Sequence, residues 1–239
     1  YTCTLAHEGK KVEVKIYCQS QRGLRNLLRI QKAVMVDAAD ATVSLPELLR
    51  RGEGNVLVFG KLAPRWMEKN LHAVKALRET FDNVFYQVDL SEYKAERLDA
   101  EVLKATAHFF HAFYDERNDS FLVEPILIAD CYYPDKDDAR TKIGLNKIAT
   151  GAAHAQSNDQ YFKDIDEHYA AVCALFDGKR WDTDALFERM CRHTVEIAEG
   201  AEARYQTERN YMPRYDMTAE ERRRYGDTHT MFLSLLEEG

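Results

Sequence analysis

The chain has 239 residues, enough for one large domain or a small domain with an appended region. Hydrophobic residues make up 45% and aromatics 11%, a composition that excludes a disordered chain and predicts a sizeable core. The net charge of -7, from 40 acids against 33 bases, argues against a general nucleic-acid binder, and no apolar run approaches the roughly 20 residues that span a bilayer.

Cysteine usage narrows the setting. Cys3, Cys18, Cys131, Cys173 and Cys191 are odd in number, far apart and without a Cys-x-x-Cys pair. That spacing argues against a disulfide framework or a zinc knuckle and fits a reducing compartment. The chain opens on Tyr1-Thr2-Cys3, which does not resemble a signal peptide. A processed mature chain that has lost a transit peptide and a simply trimmed chain both account for that opening, and the first points to an organelle such as the mitochondrion, with its matrix as the compartment.

Along the chain, Lys11 to Cys18 alternates polar and apolar residues, with Val12, Val14, Ile16 and Cys18 on one face, the period of a half-buried strand. Gln21-Arg22-Gly23 leads into a helix with Leu24, Leu27, Leu28 and Gln31 at helical spacing. Ala33-Val34-Met35-Val36 is a short apolar run, expected as a strand. Ser44-Leu45-Pro46-Glu47 has the form of a capping box opening a short helix that Gly52 and Gly54 end. Asn55 to Gly60 reads as a strand, Arg65 to Phe81 as a helix burying Trp66, Val74, Leu77 and Phe81, and Asn83 to Leu90 as the next strand. Lys94 to Tyr114 is expected as a long helix and Phe121 to Tyr133 as the last apolar, β-branched segment. From Asp135 the texture turns helical, with helices expected at about 138–156, 161–176, 183–208 and 219–238, the last opened by a capping box at Thr218-Ala219-Glu220-Glu221. Strands alternating with helices favour an α/β layer with at least partly parallel pairing. The expected division is an α/β region over 1–134 and a helical region over 135–239, meeting at the loop Tyr133-Pro134-Asp135-Lys136-Asp137-Asp138.

The strand–helix–strand at 55–93, with Ala63-Pro64-Arg65-Trp66-Met67-Glu68-Lys69 opening its helix, resembles the centre of a thioredoxin-like domain, in which a Cys-x-x-Cys pair follows the first strand. Glu124-Pro125-Ile126-Leu127-Ile128 is similar to the proline-led strand of that fold, where a cis-proline flanks the active site. The resemblance implies a thioredoxin-like N-terminal region. The loop carries a Trp and a Met where the fold's thiols stand, so dithiol exchange there is excluded.

Other chemistry must come from scattered residues. Cys18 ends a strand just ahead of a helix, as in glutaredoxin-like members of the fold, and is the candidate for a monothiol role; the plainer use is a buried thiol continuing the face of Val12, Val14 and Ile16. His108 and His111 lie three apart near Asp115 and Glu116, His193 and Glu196 form a His-x-x-Glu step, and Asp164, Glu167 and His168 crowd a third helix. Di-iron bundles use the reverse order, Glu-x-x-His, so a composite metal site from His108, His111, His193 and Glu196 competes with histidines simply packed beside aromatics. No dinucleotide fingerprint, Walker pattern or nucleophile elbow is present, and no cofactor is implied. Gly60-Lys61 follows a strand with a single glycine, the pattern of a turn, and Lys142, Asn146 and Lys147 have the look of a solvated helix face. The triple arginine of Glu220-Glu221-Arg222-Arg223-Arg224-Tyr225 is balanced by acids at helical spacing, as on a salt-bridged exposed face. Glu208 to Met217 combines Tyr211, Met212, Arg214 and Tyr215, residue types enriched in protein interfaces, and Trp66 is a further candidate anchor. Beside a stand-alone dimeric binding module, two functions are therefore expected. One is a non-catalytic accessory subunit of a larger assembly of the mitochondrial respiratory or ATP-synthase type, with other protein subunits as partners. The other is an enzyme whose site is composed from separated segments, either a monothiol oxidoreductase at Cys18 or a metal enzyme using the helical histidines.

Overall fold

The structure, a computed structural model, describes residues 1–90, 99–151, 159–176, 181–205 and 215–238. Thr2–His7 (β1) and Lys10–Cys18 (β2) form an antiparallel hairpin with Cys3 opposite Val14 and Leu5 opposite Val12. Its turn residues, Glu8 and Gly9, both have positive φ, 48° and 72°, the backbone that matches a two-residue turn to the twist of its strands. The alternation expected in β2 is present: Val12, Val14 and Ile16 are buried, and Cys18 is half-buried.

Gln21–Lys32 (α1) follows, capped by the Ser20 hydroxyl, which accepts from Gly23 N at 3.1 Å. The run from Ala33 to Val36, expected as a strand, lies instead in a π-helical turn, Ala33–Asp37, that continues α1. Val34 lies four residues beyond Ile30 and joins it in the core, while Met35 and Val36 are exposed. A four-residue apolar run has no period long enough to tell helix from strand, and its neighbour in the core decided the matter. Thr42–Ser44 (β3) then pairs parallel to β1, and Leu45–Arg51 (α2) begins after Ser44. Ser44 occupies the cap position without a side-chain cap bond; Glu47 bonds Arg51 at 2.7 Å and Arg50 at 3.2 Å.

Asn55–Phe59 (β4) is buried along its whole length. The helix expected over 65–81 is two helices, Pro64–Lys69 (α3) and Leu71–Thr80 (α4), broken at Asn70. Asn70 leaves helical geometry (φ -123°, ψ 40°), and its Nδ2 donates to Trp66 O at 2.8 Å, the local side-chain bond by which asparagine competes with a helix. Asn83–Val88 (β5) pairs parallel to β4. Asp99–Ala112 (α5) occupies the described part of the next expected helix, a short hairpin of Tyr114–Asp115 (β6) and Ser120–Phe121 (β7) follows, and Glu124–Leu127 (β8) pairs parallel to β5. The six-stranded sheet has the order β3-β1-β2-β4-β5-β8, and β2 runs against both its neighbours. The architecture is mixed α/β.

The sheet's two faces differ. Leu57, Phe59, Tyr86 and Val88 face a large core built with Ile30, Leu48, Trp66, Met67, Leu77 and Phe109. Phe109 stacks on Tyr86 at 4.1 Å between ring centres and on Phe113 and Phe121. Val56, Val58, Phe85 and Ile126, alternating with the first set, form a small separate core with Tyr17, Ile128 and Ile197 around it.

Two compact units divide the chain, Tyr1–Ala203 and Arg204–Gly239. The change of texture after residue 134 falls inside the first unit, which also contains Ala139–Thr150 (α6), Ile165–Phe176 (α7) and Thr183–Glu199 (α8). α8 lies against β8 and the small core: Arg189 makes a paired ion bridge to Glu124 at 2.8 and 2.7 Å, and the His193 ring packs on Phe85 at 4.9 Å. The second unit has Ala219–Tyr225 (α9) and Thr228–Glu238 (α10), with the break from the single expected helix at Gly226 (φ 79°). The capping box expected at Thr218 and Glu221 is present in both directions.

Candidate functional site at the carboxyl ends of the parallel strands

Three parallel strands, β4, β5 and β8, each continue into a charged residue: Lys61 two residues past β4, Asp89 one past β5, and Asp130 three past β8. The shared direction of the strands sets these residues side by side. Lys61 Nζ donates to Asp89 Oδ2 at 2.7 Å and to Asp130 Oδ2 at 2.9 Å. Lys15, on β2 opposite Val58, reaches the other oxygen of Asp130 at 3.0 Å. Asp89 is closed off, with 1% of its side chain exposed, whereas Lys61 and Asp130 each keep 23% open.

The backbone around Lys61 is fixed by neighbours. Tyr86 Oη, buried under the sheet end, donates to Lys61 O at 2.9 Å, and Gly60 N donates to Glu13 O at 2.9 Å. A Cβ on Gly60 would meet the Glu13 Cβ at 3.1 Å and its carbonyl oxygen at 3.2 Å, a tight approach of the strand end to β2.

Burial opposes the charge on Lys61, but Asp89 and Asp130 outweigh it and raise its pKa above the ordinary lysine value. Burial would likewise raise the Asp130 carboxyl; hydrogen bonds from Lys61 and Lys15, with their charges, override it and hold the group at about 2. At neutral pH Lys61 is thus an ammonium group and Asp130 a carboxylate. Lys61 is a fixed cation rather than a nucleophile, because an amine must lose its proton to attack. It has three N–H donors, of which two are directed at the aspartates.

The segment after β8 brings α7 to the same end. Tyr132 N donates to Gln160 O at 2.9 Å, Gln160 N donates to Tyr133 Oη at 3.1 Å, and Phe162 N donates to Tyr133 O at 3.1 Å. His168, in the first turn of α7, lies within electrostatic reach of Asp89 and Lys163; burial first, and the Lys163 charge second, lower its pKa. Its neutral imidazole can accept a proton at neutral pH.

The residues singled out in the sequence are dispersed. Cys18 Sγ donates to Ser20 O at 3.4 Å, and burial, partly offset by the Ser20 backbone, raises its pKa, which disfavours the thiolate. Pro125 lies within β8, and no cis peptide bond occurs among the described residues. His108 bonds Glu68 at 3.1 Å, and His111 lines a polar hollow of about 440 Å³ with Tyr114, Asp115 and Arg117. His193 and Glu196 do meet, at 3.0 Å, beside Glu124 and Arg189 in a cleft of about 730 Å³. There burial lowers the His193 pKa, but bonds and charges from Glu124 and Glu196 outweigh it and raise the value. Carboxylates on either side favour the protonated form of the ring, and with Arg189 on Glu124 the group is arranged as a salt-bridge centre. Trp66 is buried in the core with Phe59 5.9 Å away, Tyr215 is exposed, and Tyr211, Met212 and Arg214 lie outside the described residues.

The signal for the strand-end cluster is present in the sequence as Val-Phe-Gly-Lys, Gln-Val-Asp and Ile-Ala-Asp. Each is an apolar strand terminating in one charge, and only the parallel pairing reveals that the three charges share a place. No protein-family model matches the chain, and no curated protein matches it in sequence.

Proposed function

We propose that the chain is an enzyme-type α/β protein that takes a small hydroxylated or zwitterionic molecule at the carboxyl ends of β4, β5 and β8. The observation that carries this reading is Lys61 bonded to Asp89 and Asp130, a cation and a partly open carboxylate side by side at the strand ends. In open α/β sheets, ligands bind in the crevice beyond the carboxyl ends of parallel strands. In this reading Lys61 supplies a fixed positive charge for an oxygen that gains negative charge. Asp130 accepts from a hydroxyl or ammonium group, and His168 accepts a proton at neutral pH. This reading shares with the composite-site alternative only a site assembled from separated segments, and it uses neither Cys18 nor the residues of the metal-site alternative. The thioredoxin-like label is supported by the β4–α3–α4–β5 order alone, and a reducing compartment by five free cysteines.

Ligand-observed NMR with a panel of nucleosides, sugar phosphates and amino acids tests the proposal. The expected result is a group of mutually competing binders whose signals weaken at least tenfold in Asp130→Asn, with the fold kept by circular dichroism. Binders indifferent to Asp130→Asn, or no binder in the panel at millimolar concentration, count against it.

A second reading, as a subunit of a larger assembly, draws support from α10, on which Phe232, Leu233, Leu235 and Leu236 are all exposed, an apolar grouping of the kind that marks protein contacts. Its check is native mass measurement after gentle purification, where a lone monomer at cellular concentration speaks against it.

A further inference from the structure

Away from the strand ends, the tip of the first hairpin meets the start of α4. His7, the last residue of β1, and His72, the second residue of α4, present the same ring nitrogen to one another: Nε2 to Nε2 is 3.2 Å. Glu8, the next residue after His7, brings a carboxylate oxygen within 3.8 Å of His7 Nε2. The three ligand atoms all lie within 4.8 Å of one another. We infer that His7, Glu8 and His72 form a binding site for a divalent transition-metal ion of the zinc class.

The distances fit the chemistry. Ligand atoms about 2.0–2.1 Å from a tetrahedral zinc ion stand roughly 3.3–3.4 Å from each other. The two nitrogens, 3.2 Å apart, stand close to that separation, and the exposed Glu8 carboxylate, 3.8 Å from His7 Nε2 and within 4.8 Å of His72 Nε2, would draw in to match it. Two imidazoles and one carboxylate are an N,N,O set that suits zinc over magnesium or calcium, which take oxygen ligands. Three protein ligands leave the fourth tetrahedral position for water, the arrangement of an exchangeable rather than a closed structural site.

The scaffold holds the ligands in place. The His7 ring packs edge-on against Trp66 at 6.2 Å, and Trp66 is buried in the core, so His7 cannot swing freely. Glu8 sits at φ 48°, a conformation in which glutamate is rare and Asn, Asp or Gly is usual, and this turn puts its carboxylate beside His7. His72 rises from the first turn of a helix whose Ala73, Val74 and Leu77 are buried. The ion would join the hairpin tip to α4 across 65 residues of chain.

Isothermal titration of the full chain with zinc chloride tests the inference, with cobalt(II) as a spectroscopic probe. Expected are one zinc per chain with a dissociation constant in the micromolar range or tighter, and cobalt absorption in the visible characteristic of tetrahedral coordination. His72→Ala, an exposed position, weakens zinc binding at least tenfold, His7→Gln does the same, and His193→Gln leaves it unchanged. Binding weaker than about 100 µM, or zinc affinity unmoved by both His72→Ala and His7→Gln, overturns it.

Discussion

At the level of single residues, Lys61 carries the greatest consequence. Its partner Asp89 is almost fully enclosed, and a buried carboxylate that loses its cation is costly, whereas a complete buried pair adds little net stability. Lys61→Met is therefore expected to destabilise the protein by about 3 kcal/mol in urea unfolding. The double variant Lys61→Met with Asp89→Leu recovers part of that loss. Asp130 makes a separate, pH-dependent contribution. Its folded-state pKa of about 2 lies below the ordinary aspartate value, so its stabilisation is complete above about pH 4 and disappears as pH falls through about 2. Allowing for solvent screening of a partly open group, on the order of 1 kcal/mol is at stake. Acid unfolding of Asp130→Asn, which lacks this component, should be correspondingly flatter between pH 4 and 2.

At the level of elements, close backbone contacts decide where helices begin. Gly23, in the first turn of α1, lies so near Gly54 that an added Cβ would sit 1.8 Å from the Gly54 carbonyl oxygen. Gly54 itself has φ +80° and accepts from the backbone N–H groups of Gln19 and Ser20. Asn55, buried just beyond it, donates to Gly23 O at 3.2 Å. These bonds lock the start of α1 to the start of β4. Gly23→Ala must push two backbone segments apart, and a loss of about 2–3 kcal/mol in thermal or chemical unfolding is expected. By comparison, a Cβ added to Gly144, on α6, would meet no atom within 4 Å, so Gly144→Ala should be neutral or slightly stabilising through helix propensity.

At the scale of the whole molecule, the two faces of the sheet are covered unequally. One carries the main core with its aromatic group around Phe109; truncating that fully buried ring, Phe109→Ala, should cost about 3–5 kcal/mol. The other relies on a small core and on α8, held by Arg189 to Glu124 and by His193 between Glu124 and Glu196. Because the folded His193 pKa is raised, its contribution is complete below about pH 6.5 and is lost as pH rises through the higher folded value. Hydrogen exchange of α8 is expected to quicken as pH passes through that window, after correction for intrinsic rates, and His193→Gln should remove the change.

The sequence by itself determined the local features. The β2 alternation, the strands at 55–59 and 83–88, the Thr218 capping box and the absence of a thiol near Pro64 are all matters of neighbouring side chains, and period and capping chemistry express them directly. It also marked His193 with Glu196, because three residues on a helix share a face. The tertiary structure decided what depends on distant pairing. Lys15, Lys61, Asp89 and Asp130 span 115 residues of chain, and nothing local distinguishes a strand-terminal charge facing solvent from one facing another strand's end. His7 and His72 are likewise ordinary singly and become a pair only where the hairpin folds onto α4. Local rules act over a few residues, whereas a site of this kind exists only once strand order and direction have been set by burial of the whole sheet.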